Sequence, residues 1–337
     1  MRVNLPSGQN SFADAFRDKI LPLRARAEVR NQWLSQRLDN ILPEIMLREG
    51  CDRWMGIARE FNEDPVIMSL LPQPAMSARR RTILVFYLRG DESVERLTLD
   101  RYGLGAYYEA AWDPEQQEQY SCLGTIVRER DPDVIGINTA LDSAFGDGLT
   151  QSEYQRLSEA LGEAYISRTQ SAARLAIGWL ERRSDAELTV YPGIAEIGHA
   201  IIAEAFSSRV IQPGITTTDD VEWWMRQKIL DLGLRAWFQP TVDIQAVGQG
   251  FQMPVADHAA TPRTLILPGD LLHCDVGFHY LGLATDQQQN AYVHRPGEAD
   301  APVGLRAALA EGNRLQDLLA DAMVAGRTGN EILRACL

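Results

Sequence analysis

Residues 271–293 constrain this chain more than any other stretch. Two β-rich runs, Leu271-Leu272-His273-Cys274-Asp275-Val276-Gly277 and Thr285 to Val293, flank the segment Tyr280-Leu281-Gly282-Leu283. A two-residue turn at Leu281-Gly282 makes the stretch a β-hairpin and sets Gln288 opposite Asp275 and Gly277 opposite Asp286. Side chains alternate faces along a strand, so Asp275 and Asp286 point to the same side as diagonal neighbours. A shift of two residues in register keeps them together; only an odd slip separates them. The hairpin contains no Lys or Arg. Two carboxylates gathered beside apolar residues repel unless something positive lies between them. A divalent cation is the simplest neutraliser, and hard oxygen ligands suit Mn, Co, Fe or Zn rather than a thiolate-loving metal. Gly277 is expected to leave room for a close approach of metal and substrate. On the residues alone, the alternative is two solvated aspartates on an open sheet face.

The rest of the chain bounds the setting. At 337 residues it is too long for one ordinary domain, and two are expected. Its 45% apolar and 23% charged residues place it among soluble globular proteins. No apolar run reaches the roughly 18 residues of a spanning helix, so no membrane partner is expected. The start, Met1 to Ser7, lacks the apolar stretch of a secretory signal. A cytoplasmic location is expected, or a periplasmic one if a leader was removed. Cys51, Cys122, Cys274 and Cys336 form no C-x-x-C pair and read as free or buried thiols rather than a disulfide framework. A net charge of −13 argues against a nucleic-acid partner, whose phosphates need Lys and Arg. The cluster Arg79-Arg80-Arg81 reads as the solvated edge of a strand. No G-x-S-x-G, P-loop or G-x-G-x-x-G is present, which removes serine-hydrolase and nucleotide readings.

Along the chain, residues of about 10–70 are helical in pattern, with Trp33, Leu34, Leu38, Ile41, Leu42 and Met46 at helical spacing and Pro43 as an interruption. A hairpin over 82–99, a buried strand at 133–137 and a helix over about 150–165 complete a first α/β domain, 1–165. The second, 166–337, opens with an apolar stripe of Ile194, Ile197, Ile201 and Ile202. Pro213-Gly214 then breaks the chain, and Thr217-x-x-Asp220 reads as a capping box opening a helix that stops at Gly233. Strands are expected at Thr264 to Leu267, Leu271 to Gly277 and Asp286 to Val293. Helices follow over about 304–325 and from near Asn330. Because the last residue, Leu337, falls inside an amphipathic helix, this domain is expected to be incomplete, with apolar surface left open to association.

The pattern D-V-G-x-x-Y-x-G-x-x-x-D from Asp275 to Asp286 resembles the pita-bread metallopeptidases: methionine aminopeptidase, Xaa-Pro aminopeptidase and prolidase, together with creatinase. The Pro268-Gly269-Asp270 turn, Ile211-Gln212-Pro213-Gly214-Ile215-Thr216 and Trp237-Phe238-Gln239-Pro240 share in the likeness, which covers about residues 165–337. The front half, through Asn62-Glu63-Asp64-Pro65-Val66, resembles less specifically a creatinase-type N-terminal domain. The resemblance implies an α/β (α+β) protein with that N-terminal domain and an incomplete pita-bread domain. It also implies a site of two divalent metal ions (Mn, Co or Zn) held by Asp275, Asp286, a His and two Glu. No His follows His294, and Glu298, Glu311 and Glu331 lack the expected surroundings, so none is assigned as a ligand. Where the family often carries an Arg shortly after the second aspartate, Gln289 and Asn290 stand.

The implied activity is that of a metal-dependent aminopeptidase cleaving an N-terminal peptide bond, with Xaa-Pro as the favoured sequence, through a binuclear metal-activated water. His258, in the position of the family's substrate-contacting histidine, would steady the reacting carbonyl. Trp237 and Phe238 are candidates to line the substrate pocket, although packing is their ordinary role. His279 faces the site only if its strand stays regular; His273 shares the parity of Asp275 but reads as a core or edge histidine. His199 reads as structural and His294 as solvent-facing, and Trp223-Trp224 as packing. Two rivals stand beside the peptidase: a creatinase-like amidinohydrolase that works without metal, and a non-catalytic peptide-binding module. The expected partner is a peptide, with a homodimer as an option. The 337-residue chain by itself is expected to be inactive and to bind metal weakly, because two carboxylates cannot fill two coordination spheres.

Overall fold

The fold is known from a computed structural model that describes residues 13–245 and 264–337. The described chain divides into two compact units. One comprises Asp18–Ala195 together with Tyr280–Leu283; the other comprises the remaining described residues.

The first unit begins with α1 (Leu23–Gln36), which runs through a π-helical turn at Arg37–Ile41 into α2 (Leu42–Arg48). Pro43 sits in the first turn of α2, where its missing N–H removes one ladder hydrogen bond and the helix widens just before it. There follow β1 (Arg53–Arg59), α3 (Pro65–Leu70), β2 (Arg81–Leu88), β3 (Val94–Thr98), β4 (Glu109–Ala110) and α4 (Gln119–Arg130). Next come β5 (Ile135–Ile137), α5 (Gln151–Ile166), β6 (Thr169–Ser171) and α6 (Ala173–Glu181). The strands form one sheet in the order β4-β3-β2-β1-β5-β6. β1 is antiparallel to β2 and parallel to β5.

Each face of this sheet carries its own core. Trp54 and Phe86 pack with Leu42, Ile67 and Trp179 on one side. Met55, Ile57 and Val85 pack with Leu123, Val127 and Leu157 on the other. Because β1 is covered on both faces, its sequence Trp54-Met55-Gly56-Ile57-Ala58 shows no period-two alternation. That is why the helical reading of about 10–70 fails at Arg53–Arg59, which is a central strand. The hairpin over 82–99, the strand near 133–137 and the helix over 150–165 stand where the sequence places them.

α7 (Asp185–Ala205) leads the chain onward with Ile194, Ile197, Ile201 and Ile202 buried along one stripe. α8 (Thr218–Asp231) opens on the expected capping box between Thr217 and Asp220. Gly214 before it and Gly233 after it both take left-handed backbone, at φ +84° and +70°. Six strands follow: β7 (Arg235–Ala236), β8 (Thr241–Ile244), β9 (Leu271–Val276), β10 (Phe278–Tyr280), β11 (Leu283–Ala284) and β12 (Gln287–Tyr292). They form two three-stranded sheets, β12-β9-β8 and β11-β10-β7. α9 (Val303–Ala322) and α10 (Gly329–Cys336) close the described chain.

Thr264 to Leu267 is not a regular strand. Leu265 makes one isolated bridge, to Thr217, and Ile266 exchanges backbone hydrogen bonds with Gly214 and Thr216. Its partner is the turn that leads into α8 rather than a strand, and the Pro268-Gly269 turn, with Gly269 at φ +100°, stops it at once. The α/β class expected from the sequence holds. Among the described residues, no helix is long and apolar enough to cross a membrane.

Candidate metal centre

The site is built on β9. Leu272, Cys274 and Val276 turn inward and are buried, so Leu271, His273 and Asp275 share the opposite, half-exposed face. β12 runs antiparallel beside it, with Gln288 opposite Asp275 and Asn290 opposite His273. On the other flank β8 sets Thr241 opposite Asp275 and Asp243 opposite His273. The Thr285 N–H donates to Phe278 O at 3.0 Å, which carries the same register toward the turn. There Leu281 and Gly282 both take positive φ, 56° and 85°, the pair of conformations that a type I′ hairpin requires. The two-residue turn read from the sequence therefore fixes the observed pairing.

Asp275 and Asp286 come together on this hairpin. Burial first, then the charge of Asp286, hold the Asp275 carboxyl above the usual carboxylate range; His273 pulls the other way. The Gln288 Nε2 donates to Asp275 Oδ2 at 3.3 Å. Asp275 Oδ1 is buried and has no hydrogen-bond partner. A buried carboxylate oxygen without a donor is costly, and the charge of Asp286 acts on the same group with no Lys or Arg on the hairpin. These residues fit a divalent cation: an unsatisfied hard oxygen, a like-charge neighbour to be neutralised, and no thiolate in reach of the same face. Among the described residues no three His, Cys, Asp or Glu side chains converge on one point, so the two aspartates supply only part of a coordination sphere.

Trp237 and Phe238 stand against the bend between β9 and β10. A Cβ placed on Gly277 would lie 2.4 Å from Thr285 O and 2.5 Å from both Phe238 Cε1 and Trp237 Nε1. The room expected at Gly277 for metal and substrate is thus taken by these two aromatic rings. Trp237 Nε1 donates to Thr285 O at 2.8 Å, directly before Asp286, and its ring meets Phe238 edge-on at 4.6 Å. Trp237 nevertheless remains 46% exposed, and His279 lies 6.2 Å from it. His258 lies outside the described residues. His199 and His294 are exposed, the latter 5.8 Å from the Tyr292 ring.

Sequence reasoning passed over one group. His273 Nδ1 pairs with Asp243 Oδ1 at 3.2 Å, and His273 Nε2 with Gln288 Oε1 at 3.0 Å. Gln288 is the residue that donates to Asp275. The only sequence signal was the parity that His273 shares with Asp275; Asp243 could not be placed because β8 was not recognised.

Residues 193–337 match the profile of metallopeptidase family M24. No curated protein matches the chain. Among solved structures, the fold is similar to an X-Pro aminopeptidase from Thermotoga maritima MSB8, at 14% identity over 85% of this chain and 74% of that one, with a TM-score of 0.60. It is also similar to a Xaa-Pro dipeptidase from Bacillus anthracis (15% identity, 90% and 76% covered, TM-score 0.56). A prolidase from Pyrococcus furiosus is similar too (14% identity, 87% and 76% covered, TM-score 0.55). At such identities the likeness is one of fold.

Proposed function

We propose that this chain, whose residues 193–337 belong to metallopeptidase family M24, carries the two-aspartate part of a metallo-aminopeptidase centre acting on peptides, with Xaa-Pro as the favoured N-terminal sequence. The observation that carries the reading is the gathering of Asp275 and Asp286 on one hairpin, with Asp275 Oδ1 buried and without a partner. The family match and the folds of the X-Pro aminopeptidase and Xaa-Pro dipeptidase support it.

Asp275 and Asp286 would hold the cation, whose charge would neutralise their mutual repulsion. A bound divalent cation supplies Lewis acidity toward a peptide carbonyl and lowers the pKa of water. Trp237 and Phe238 would form an apolar wall beside the aspartates, suited to a proline ring or an N-terminal side chain. His258 is assigned, from the sequence, to steadying the reacting carbonyl.

Free Mn²⁺, read by electron paramagnetic resonance during titration, tests the centre. The chain is expected to take up Mn²⁺ weakly, and Asp275→Asn or Asp286→Asn to weaken uptake by tenfold or more. A wild-type chain indifferent to Mn²⁺ would sink the reading. The substrate side is tested by the release of N-terminal residues from Xaa-Pro and control peptides, with and without Mn²⁺. Mn²⁺-dependent release from the Xaa-Pro set would support the substrate side, and peptide binding without release would favour the peptide-binding module.

A further inference from the structure

We infer that Asp243, His273 and Gln288 form a positioning row that aims the Asp275 carboxylate at a divalent cation; this rests on the metal-centre reading above. The row crosses three neighbouring strands on one sheet face. Asp243 on β8 lies opposite His273 on β9, and Gln288 on β12 lies opposite Asp275, two residues further along β9. The hydrogen bonds follow that diagonal: Asp243 Oδ1 to His273 Nδ1 at 3.2 Å, His273 Nε2 to Gln288 Oε1 at 3.0 Å, and Gln288 Nε2 to Asp275 Oδ2 at 3.3 Å. Beyond Asp243 the row is continued by Gln245, whose Nε2 donates to Asp243 Oδ2.

Its geometric consequence falls on Asp275. A free aspartate can turn its carboxylate about χ2, and each orientation offers a different oxygen to a cation. Here Oδ2 is claimed by Gln288, and Oδ1 is left buried without a partner. Gln288 on its own is exposed and could swing away; its contact with the His273 ring restrains the amide beside Asp275. The ring is held in turn by Asp243. Asp243 and His273 set the orientation of Asp275 through Gln288, as outer partners of metal-binding carboxylates do. The inward neighbours Leu272, Cys274 and Val276 are buried on the opposite face, so the row can be altered without touching the core.

Mn²⁺ titration of the full 337-residue chain, followed by electron paramagnetic resonance, tests this without any assay of activity. His273→Leu and Gln288→Leu are each expected to weaken Mn²⁺ binding by about 10–100-fold, with thermal melting unchanged. Because the two act in series, the double variant should bind no more weakly than the weaker single variant. Asn290→Leu, on the same face and opposite His273 but outside the row, should bind as the wild type does. If both Leu variants bind like wild type while Asp275→Asn does not, the positioning row is wrong and the metal centre stands. Additive losses in the double variant would also overturn the row, since independent effects have no serial dependence. A wild-type chain that binds no Mn²⁺ removes the centre and the row together.

Discussion

Asp64 shows what an unpaired carboxylate costs when no cation is at hand to relieve it. Its Oδ1 accepts from the Ile67 N–H at 2.9 Å and caps α3, while Oδ2 is buried without a hydrogen-bond partner. Burial holds its carboxyl above the usual range, opposed by the backbone N–H groups of Ile67 and Val66. A folded-state value raised above the unfolded one means that its contribution is most favourable at low pH and is lost as pH rises through the folded value. Asp64→Asn keeps an equally good capping side chain and removes the buried charge. It should therefore stabilise the fold by about 1 kcal/mol at neutral pH, and the gain should vanish as pH falls below about 4. Urea denaturation at a series of pH values checks it; a gain that persists unchanged into acid would show that charge is not the cause. The contrast with Asp275 bears on legibility. Strand parity exposed Asp275 and Asp286 in the sequence because a hairpin converts spacing into a shared face. Nothing in Asn62-Glu63-Asp64-Pro65-Val66 announces a buried oxygen, which depends on the chain that folds over it at Gly148, where an added Cβ would meet Asp64 Oδ2.

The hairpin from β9 to β12 works as an element because its bend is sealed by the side chains of Trp237 and Phe238, which follow β7. Gly277 is the tight point: Thr285 O, Trp237 Nε1 and Phe238 Cε1 all lie within 2.5 Å of the position of an added Cβ. Thr285 O is backbone and cannot swing aside. Gly277→Ala should therefore force the two halves of the hairpin apart, break the Trp237–Thr285 hydrogen bond, and cost about 1–3 kcal/mol. It should also weaken Mn²⁺ uptake, because Asp275 and Asp286 sit on either side of the displaced contact; unchanged melting and unchanged uptake would show that the packing is looser than described. Elements were legible where a local rule sets them. The Leu281-Gly282 turn gave the register, the Thr217 and Asp220 box gave the start of α8, a β-rich run gave β2 and alternation gave β3. β1 and the Thr264–Leu267 segment were misread because their pairing is decided by distant chain. β1 is apolar on both faces because two helical layers cover it, and Thr264–Leu267 pairs only with the turn before α8.

Across the whole molecule, burial is distributed very unevenly, and dynamics should follow it. In the unit containing the six-stranded sheet, β1 and β2 bury most of their side chains between two cores. In α9, only Ala322 is buried, and in α10 no residue is. Leu309, Leu315, Met323, Val324 and Leu333 are all more than half exposed. Helices gain most of their stability from packing an apolar face rather than from intrinsic propensity, and α10, at eight residues, is too short to persist alone. Its capping box between Thr328 and Glu331 contributes only about 1 kcal/mol. Local opening should therefore be cheap in α9 and α10 and approach the cost of global unfolding in β1 and β2. Amide hydrogen exchange on the full chain checks this. Peptides covering 303–337 should exchange within seconds to minutes, roughly 10³-fold or more ahead of those covering 53–59 and 81–88. Equal protection would mean that α9 and α10 are covered in solution, and a concentration dependence of that protection would identify the cover as a second copy of the chain. Such a gradient could be anticipated only in part from the sequence. The sequence predicts helices over about 304–325 and from near Asn330, the latter amphipathic; what packs against them is a property of the assembled molecule.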